Sequence, residues 1–354
     1  MKNILRKTAI FTMIGVLGSS LLLGCSGRSI EHDAIVSTVG DAQITLGFAN
    51  FFARMQQPHQ EMFQAMMGGE AGEMWDEVAD PDTGETQEDM VKGMMMESIQ
   101  QLFLLSLHAE EFGVSLSEQD NLLIEEAATE FINQNSPEAL EAISGHFENV
   151  VLLLELYTIA ERMTEAMGEG IDAEVSEEES LRKGMDVVFV PFMVSDDEGV
   201  VTHLTEEEIE ELKSELQEIL DEMDGDSDVD LTVFEEFAEV MPTTFGLEPD
   251  PGDPNLEFII AMNELENVGD VTGLVEGAGG VFIGKLTSLH DEEATNEVIE
   301  QILEGRRSER IQSLLEEWRV ATYISTNEEL WAQVSFTELG VEVYQEPVEE
   351  LDFE

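Results

Sequence analysis

The 354-residue sequence predicts an α+β protein, a mainly helical block followed by a small β-α-α-α-β-β segment and a long terminal helix. Three observations predict it. Residues 45–167 carry apolar side chains at helical spacing almost throughout. Residues 185–290 mix β-branched runs with amphipathic stretches, and residues 292–324 return to one unbroken helical pattern. The organisation read from this is a leader at 1–24, a tether at 25–33, a helical lobe at 34–170 and a linker at 171–184. A mixed domain at 185–290 and a C-terminal helix and tail at 291–354 complete it.

The elements follow in order. "MKNILRK" is basic and "TAIFTMIGVLGSSLLLG" is apolar, short and abruptly ended, as in an export signal rather than a membrane span. It closes on Leu22-Leu23-Gly24-Cys25, which resembles a bacterial lipobox, where cleavage precedes a cysteine that carries the lipid. Cys25 is the single cysteine of the chain, so as an anchor it leaves no thiol for disulfide, metal or nucleophilic chemistry. The compartment expected is extracytoplasmic, with lipid attachment to the bacterial cell membrane.

"AIVSTVGDAQIT" reads as a hairpin turning at Gly40-Asp41. Thr45 caps a helix that Pro58 interrupts or kinks. A long helix follows the polar loop "DPDTGETQ" and stops by Gly113. Ser117 with Asp120 opens the next helix, Ser136-Pro137 another, and "FENVVLLLELYTIAERMTEAM" the last of the block. Then "MDVVFVPFMV" reads as a strand and "TEEEIEELKSELQEILDEM" as an amphipathic helix. "LTVFEEFAEV" reads as a shorter helix, "PTTFGLEPDPGDP" as a long loop and "NLEFIIAMNELENV" as a third helix. Two closing strands, "GDVTGLVE" and "GGVFIGKLTSL", end the domain.

Charge narrows the function. With 79 acidic against 15 basic residues, the net charge is −64. Loss of residues 1–24 removes Lys2, Arg6 and Lys7 and no acid, which makes the remainder more acidic still. Such a surface repels nucleic acid and anionic head groups, and it leaves membrane attachment to the lipid. It suits a soluble body that attracts cationic or partly unfolded clients, and it is equally what a salty habitat selects.

Several motifs carry competing readings. Gly279 to Lys285 spells G-x-x-x-x-G-K, but Leu286 stands where a P-loop needs Ser or Thr for Mg²⁺, and the apolar run lies inside the supposed loop. No cofactor is implied. Asp224, Asp226, Asp228, Asp230 and Glu235 fall at positions 1, 3, 5, 7 and 12 of an EF-hand-like loop, a weak calcium pattern because Val229 replaces the glycine of the sharp turn. The methionines of the first half (Met55, Met62, Met66, Met67, Met74, Met90, Met94, Met95, Met96) suit a promiscuous binding surface or a loosely specified core. Met94-Met95-Met96 cannot share one helix face, so at least one is exposed or shared with a neighbouring element.

In this order the pieces resemble the exported parvulin-type foldases, the PrsA-type lipoproteins and related SurA-like chaperones. The resemblance rests on "IVSTVGDAQIT" after the lipobox and on "LLSLHAEEFGVSLSEQD" in the helical block. It rests above all on Gly269-Asp270-Val271-Thr272-Gly273-Leu274-Val275 followed by Gly280-Val281-Phe282-Ile283-Gly284-Lys285-Leu286. Phe258-x-x-Ala261 matches the family's "F-x-x-A" helix. The resemblance implies a lobe that holds unfolded exported proteins, a domain acting on X-Pro bonds, and a C-terminal helix that returns to the lobe. Uncatalysed, that isomerisation crosses a barrier of roughly 18–20 kcal/mol.

The sequence departs from the family at the chemistry. Active parvulins carry two facing histidines. Here Phe282 holds one position and Val188 or Phe189 the other, and none of the six histidines falls on either strand. Two readings stay open. One is a chaperone whose domain binds without isomerising, which replacement of both histidines favours. The other is an active peptidyl-prolyl isomerase working through an apolar pocket of Phe258, Met262 and Phe282. A solute-binding lipoprotein is a third, disfavoured by the helical block at 45–167.

Overall fold

The computed structural model describes residues 30–66, 72–195, 201–223, 229–248 and 251–337, with short pieces at 20–21 and 342–343. It divides into two units. Residues through Gly170 and from Arg307 onward form the helical lobe; Ile171–Arg306 form the mixed domain. Cys25, the leader and most of the tether lie outside the described residues.

The lobe begins with a hairpin, β1 (Ile35–Val39) and β2 (Ala42–Thr45), whose turn puts Gly40 at φ 57°, where a side chain is strained. Thr45 Oγ1 accepts the Phe48 N–H at 3.2 Å and caps α1 (Leu46–Met66). Of the interruption or kink expected at Pro58, the interruption does not occur; the proline sits inside one continuous helix. Nearly every residue from Leu46 to Gln57 is buried, and that packing outweighs the hydrogen bond Pro58 cannot make.

Next come α2 (Gln87–Leu107), α3 (Glu118–Gln134), α4 (Pro137–Ile143) and α5 (Phe147–Gly168). Ser117 and Asp120 form the expected reciprocal cap of α3, and Ser136 caps α4 with Pro137 in its first turn. Gly113, at φ 67°, closes a single 3₁₀ turn that follows α2. Phe48, Phe51, Ile99, Ile124, Phe131, Leu153 and Met163 fill the core between the helices.

In the mixed domain, the stretch read as linker holds a helical turn at Glu177–Ser180, and β3 (Arg182–Pro191) begins within it. After α6 (Glu206–Met223) the expected second helix is only a 3₁₀ turn, Leu231–Phe234. The expected loop contains a strand, β4 (Val240–Gly246). These are corrections to the β-α-α-α-β-β reading. Pro242 cannot extend a helix, yet an edge strand tolerates it, and Val240, Thr243 and Thr244 favour extended backbone. Then follow α7 (Leu256–Asn263) and the expected closing hairpin, β5 (Val275–Gly277) and β6 (Gly280–Ser288).

The sheet is antiparallel in the order β5-β6-β3-β4, so β4 is an edge. Pleating sends Val188, Val190, Val281 and Ile283 to one face, beneath Leu216 of α6 and Phe234. Met185, Val187 and Leu286 go to the other, with Phe245 and with Phe258 and Met262 of α7.

The last helix, α8 (Glu292–Ala321), starts in the mixed domain and ends in the lobe. Its lobe portion brings Ile311, Leu314, Leu315 and Trp318 onto the helical core, as expected of a returning helix. Two elements with no counterpart in the sequence reading come next. β7 (Ile324–Thr326) pairs with β1 as a third strand, and α9 (Glu328–Trp331) leads to Val334 and Phe336, both buried in the lobe.

One ion pair fastens two lobe helices. Arg162 of α5 meets the Asp120 carboxylate at 2.7 Å, and the Ser117 hydroxyl donates to the same carboxylate at 2.6 Å. These contacts, the arginine first, hold the Asp120 carboxyl well below the ordinary range. A carboxyl depressed in the folded state adds stability in full above its unfolded value of about 3.9, and loses it as pH falls below that value. Asp120→Asn should therefore lower lobe stability by about 1–3 kcal/mol at neutral pH. Urea unfolding across pH should show the gap between variant and parent narrowing steadily as the medium is acidified below about pH 4, as the same linkage requires.

Candidate functional site

Among the described residues, the positions singled out by the sequence gather at a place in each unit. In the mixed domain, Phe282 of β6 stands directly across from Phe189 of β3, with ring centroids 4.5 Å apart. Val188 is fully buried on the opposite face. Of the two positions left open by the sequence, Phe189 is thus the one that faces Phe282. Phe258 stacks on the other side of Phe282 at 4.9 Å and 24°. The three rings form a continuous aromatic column.

Glycines make room for it. A methyl group on Gly277 would lie 2.6 Å from the Phe282 ring, and one on Gly280 would lie 2.5 Å from the Phe189 ring. One on Gly284 would lie 2.8 Å from the Phe258 ring and against the Met262 sulfur. Phe258 is 2% exposed and Met262 fully buried, while Phe189 and Phe282 are half-buried. So the structure does bring Phe258 and Phe282 together, with Met262 at Gly284, but as packed core and not as the walls of an open cleft.

Buried polar groups border the column, and Thr272 Oγ1 accepts the Gly284 N–H at 2.9 Å. Asn255 Oδ1 is buried beside Gly277 without a hydrogen-bond partner. Lys285, the lysine of the P-loop-like string, is a strand residue whose ammonium donates to the Val229 carbonyl. No histidine lies on β3 or β6.

Of the calcium pattern, Asp224, Asp226 and Asp228 lie outside the described residues. Asp230 caps the 3₁₀ turn through the Thr232 N–H, and Glu235 is exposed. Among the described residues no group of three His, Cys, Asp or Glu side chains is placed to hold a metal ion.

The second place is a groove of about 400 Å³ in the helical lobe. Phe52, Gln56 and Gln60 line it from α1, each one turn beyond the last. Val91, Met94, Met95, Ser98, Gln101 and Leu102 line it from α2, and Tyr157 from α5. Gln56 Nε2 donates to the Tyr157 hydroxyl at 3.3 Å. None of these ten lining residues is charged, in a chain of net charge −64.

Beyond the groove, the end of α1 exposes Met62, Phe63 at 63% and Met66 at 70%, and α2 exposes Met90 and Met94 at 50%. The methionine-rich half thus divides. Met55, Met74, Met95 and Met96 are core, whereas Met62, Met66, Met90 and Met94 face outward; Met67 lies outside the described residues. The triplet resolves as expected, with Met94 outward. The sequence reading missed the glutamines. Their signal was the helical spacing of Gln56 and Gln60 with Phe52, unbroken by any acid.

No family model matches the sequence, and no curated protein matches it. Among solved structures the chain is similar to one described as a SurA-like chaperone of Campylobacter jejuni, at 11% identity and TM-score 0.27, over 83% of this chain and 99% of that one. It is similar to the peptidylprolyl isomerase PrsA of Bacillus cereus, at 17% identity and TM-score 0.30, over 75% of this chain and 99% of that one. A third is the foldase protein PrsA of Streptococcus pneumoniae, at 12% identity and TM-score 0.28, over 71% and 94%. Overlaps of this looseness give no residue of the chain a role.

The column makes a direct prediction. Gly284→Ala should destabilise the mixed domain by about 1–3 kcal/mol through overpacking against Phe258 and Met262. Gly273→Ala, with open space around it, should stay within about 0.5 kcal/mol of the parent. Equal midpoints for the two variants in denaturant would show that the column is not packed as described.

Proposed function

We propose that this chain is an extracytoplasmic chaperone, anchored through a lipid on Cys25, that holds unfolded or partly folded exported proteins in the groove of its helical lobe. The observation that carries this reading is the uncharged groove. An acidic surface of this density favours water over apolar ligands, and a groove floored by Met, Phe and Val offers an unfolded chain an apolar landing. Methionines adapt to different side chains because the thioether is flexible and polarisable, which suits many clients rather than one. The glutamines and Tyr157 can meet the backbone groups that an unfolded client leaves unpaired.

In this reading the mixed domain serves as a binding or spacer module without isomerase activity. Lowering the barrier to prolyl rotation needs a pocket for the ring and polar groups near the twisting carbonyl. Phenyl rings supply no such groups at positions 189 and 282, and the space between Phe258 and Phe282 is taken up by their own stacking.

The full chain should suppress aggregation of a chemically unfolded exported protein, followed by light scattering. Met94→Glu, which places a charge in the groove from an exposed position, should weaken that suppression several-fold without unfolding the lobe. In a proline-peptide isomerisation assay the full chain should leave the uncatalysed rate, tens of seconds or slower, unchanged. A clear acceleration there would establish the isomerase reading and remove the binding-module one.

A further inference from the structure

The groove carries more than a general affinity for unfolded chains, and the selectivity argued for it rests on its being a client site. Its floor is uncharged, but carboxylates stand at its margins. Glu97 is exposed on α2, three residues after Met94 and four before Gln101, so it shares their helix face. Glu161 is exposed on α5, four residues after Tyr157 and on the same face as that ring. The chain as a whole carries a net charge of −64.

An uncharged floor inside an acidic rim sorts ligands by what flanks their apolar core. An apolar segment can descend between α1 and α2, with its amides met by Gln56, Gln60 and Gln101. The residues on either side of it emerge at the rim. If those are Lys or Arg they meet Glu97 and Glu161 and the negative field, which also speeds encounter. If they are Asp or Glu they meet like charge.

We propose that the groove selects short extended apolar segments flanked by basic residues, and rejects the same segments flanked by acids. This selection keeps the site clear of the chain's own acidic stretches. Their apolar runs are bordered by Glu and Asp, as in "TEEEIEELKSELQEILDEM", so the rim that attracts foreign basic segments excludes self-binding.

The test uses the full chain and three fluorescent peptides that share one uncharged apolar core, flanked on both sides by Lys, Ser or Glu. At low salt, anisotropy titrations should rank them Lys, Ser, Glu, with about tenfold between neighbours, equivalent to about 1.4 kcal/mol each. In about 1 M NaCl, where screening reaches about 3 Å, the ranking should collapse towards the Ser-flanked value. Glu97→Gln with Glu161→Gln, both exposed positions, should cut the advantage of the Lys-flanked peptide several-fold and leave the Ser-flanked affinity unchanged. Three equal affinities at low salt would overturn the selection while sparing the client site. So would a Lys advantage untouched by the double variant, since the rim would then not be its source. Failure of the Ser-flanked peptide to bind, together with no suppression of aggregation, would instead bring down the client-site reading.

Discussion

The helical lobe closes only when the far end of the chain comes back to it, and the contact that closes it is a buried arginine. Arg54 of α1 is 5% exposed and donates to Asn50, to Gln57 and to the Ser335 carbonyl. Its guanidinium lies 5.5 Å from the Phe336 ring, which packs on Trp75 at 4.7 Å. Around it, Gln57 donates to Glu61, Trp75 to the same carboxylate, and Trp331 to the Lys92 carbonyl. Burial in this region pushes the Lys92 ammonium down from its ordinary pKa, with Glu88 opposing the shift. An arginine so enclosed is stable only with its donors met, and one of the acceptors that meet them belongs to the returning segment.

That requirement explains how the lobe can tolerate a whole second unit within its sequence. Closing a longer loop adds only about 0.6 kcal/mol for each doubling of its length. Each large side chain that the return buries contributes about 1.5–3 kcal/mol. Trp318, Trp331 and Phe336 alone outweigh the closure. The mixed domain therefore sets no demand on the lobe beyond delivering α8. Arg310, which donates to the Met167 carbonyl at the end of α5, fixes where the lobe takes the chain up again.

Legibility in the sequence followed the range of the interaction. The caps at Thr45, Ser117 and Ser136 were readable because each involves residues three apart, and the hairpin at Gly40 because a two-residue turn states its own geometry. What failed depended on partners far away. β4 looked like loop because Pro242 and Gly246 are loop residues until β3 lies beside them. β7 is three residues long and exists because β1 offers an edge. Pro58 left an interruption open because nothing local reports how fully the preceding turns are buried. Arg54 gave no signal at all, one basic residue on an apolar helix whose acceptors lie as far away as Ser335. In the mixed domain the sequence left Val188 or Phe189 open as the residue across from Phe282 until the strand register chose, and the groove needed three helices to exist.

The glycine-rich stretch at 277–284 is fitted to the aromatic column. Gly277, Gly280 and Gly284 lie under Phe282, Phe189 and Phe258 in turn, each where a single methyl group would collide. Polar rings in the same column would bring ring nitrogens that need hydrogen-bond partners. Phenyl rings need none, and stacked pairs add about 0.5–1.5 kcal/mol beyond their buried area. The string that reads as part of a nucleotide loop is thus the bed of a hydrophobic column. The same rings that stabilise the sheet fill the space between Phe258, Phe282 and Phe189 with their own stacking.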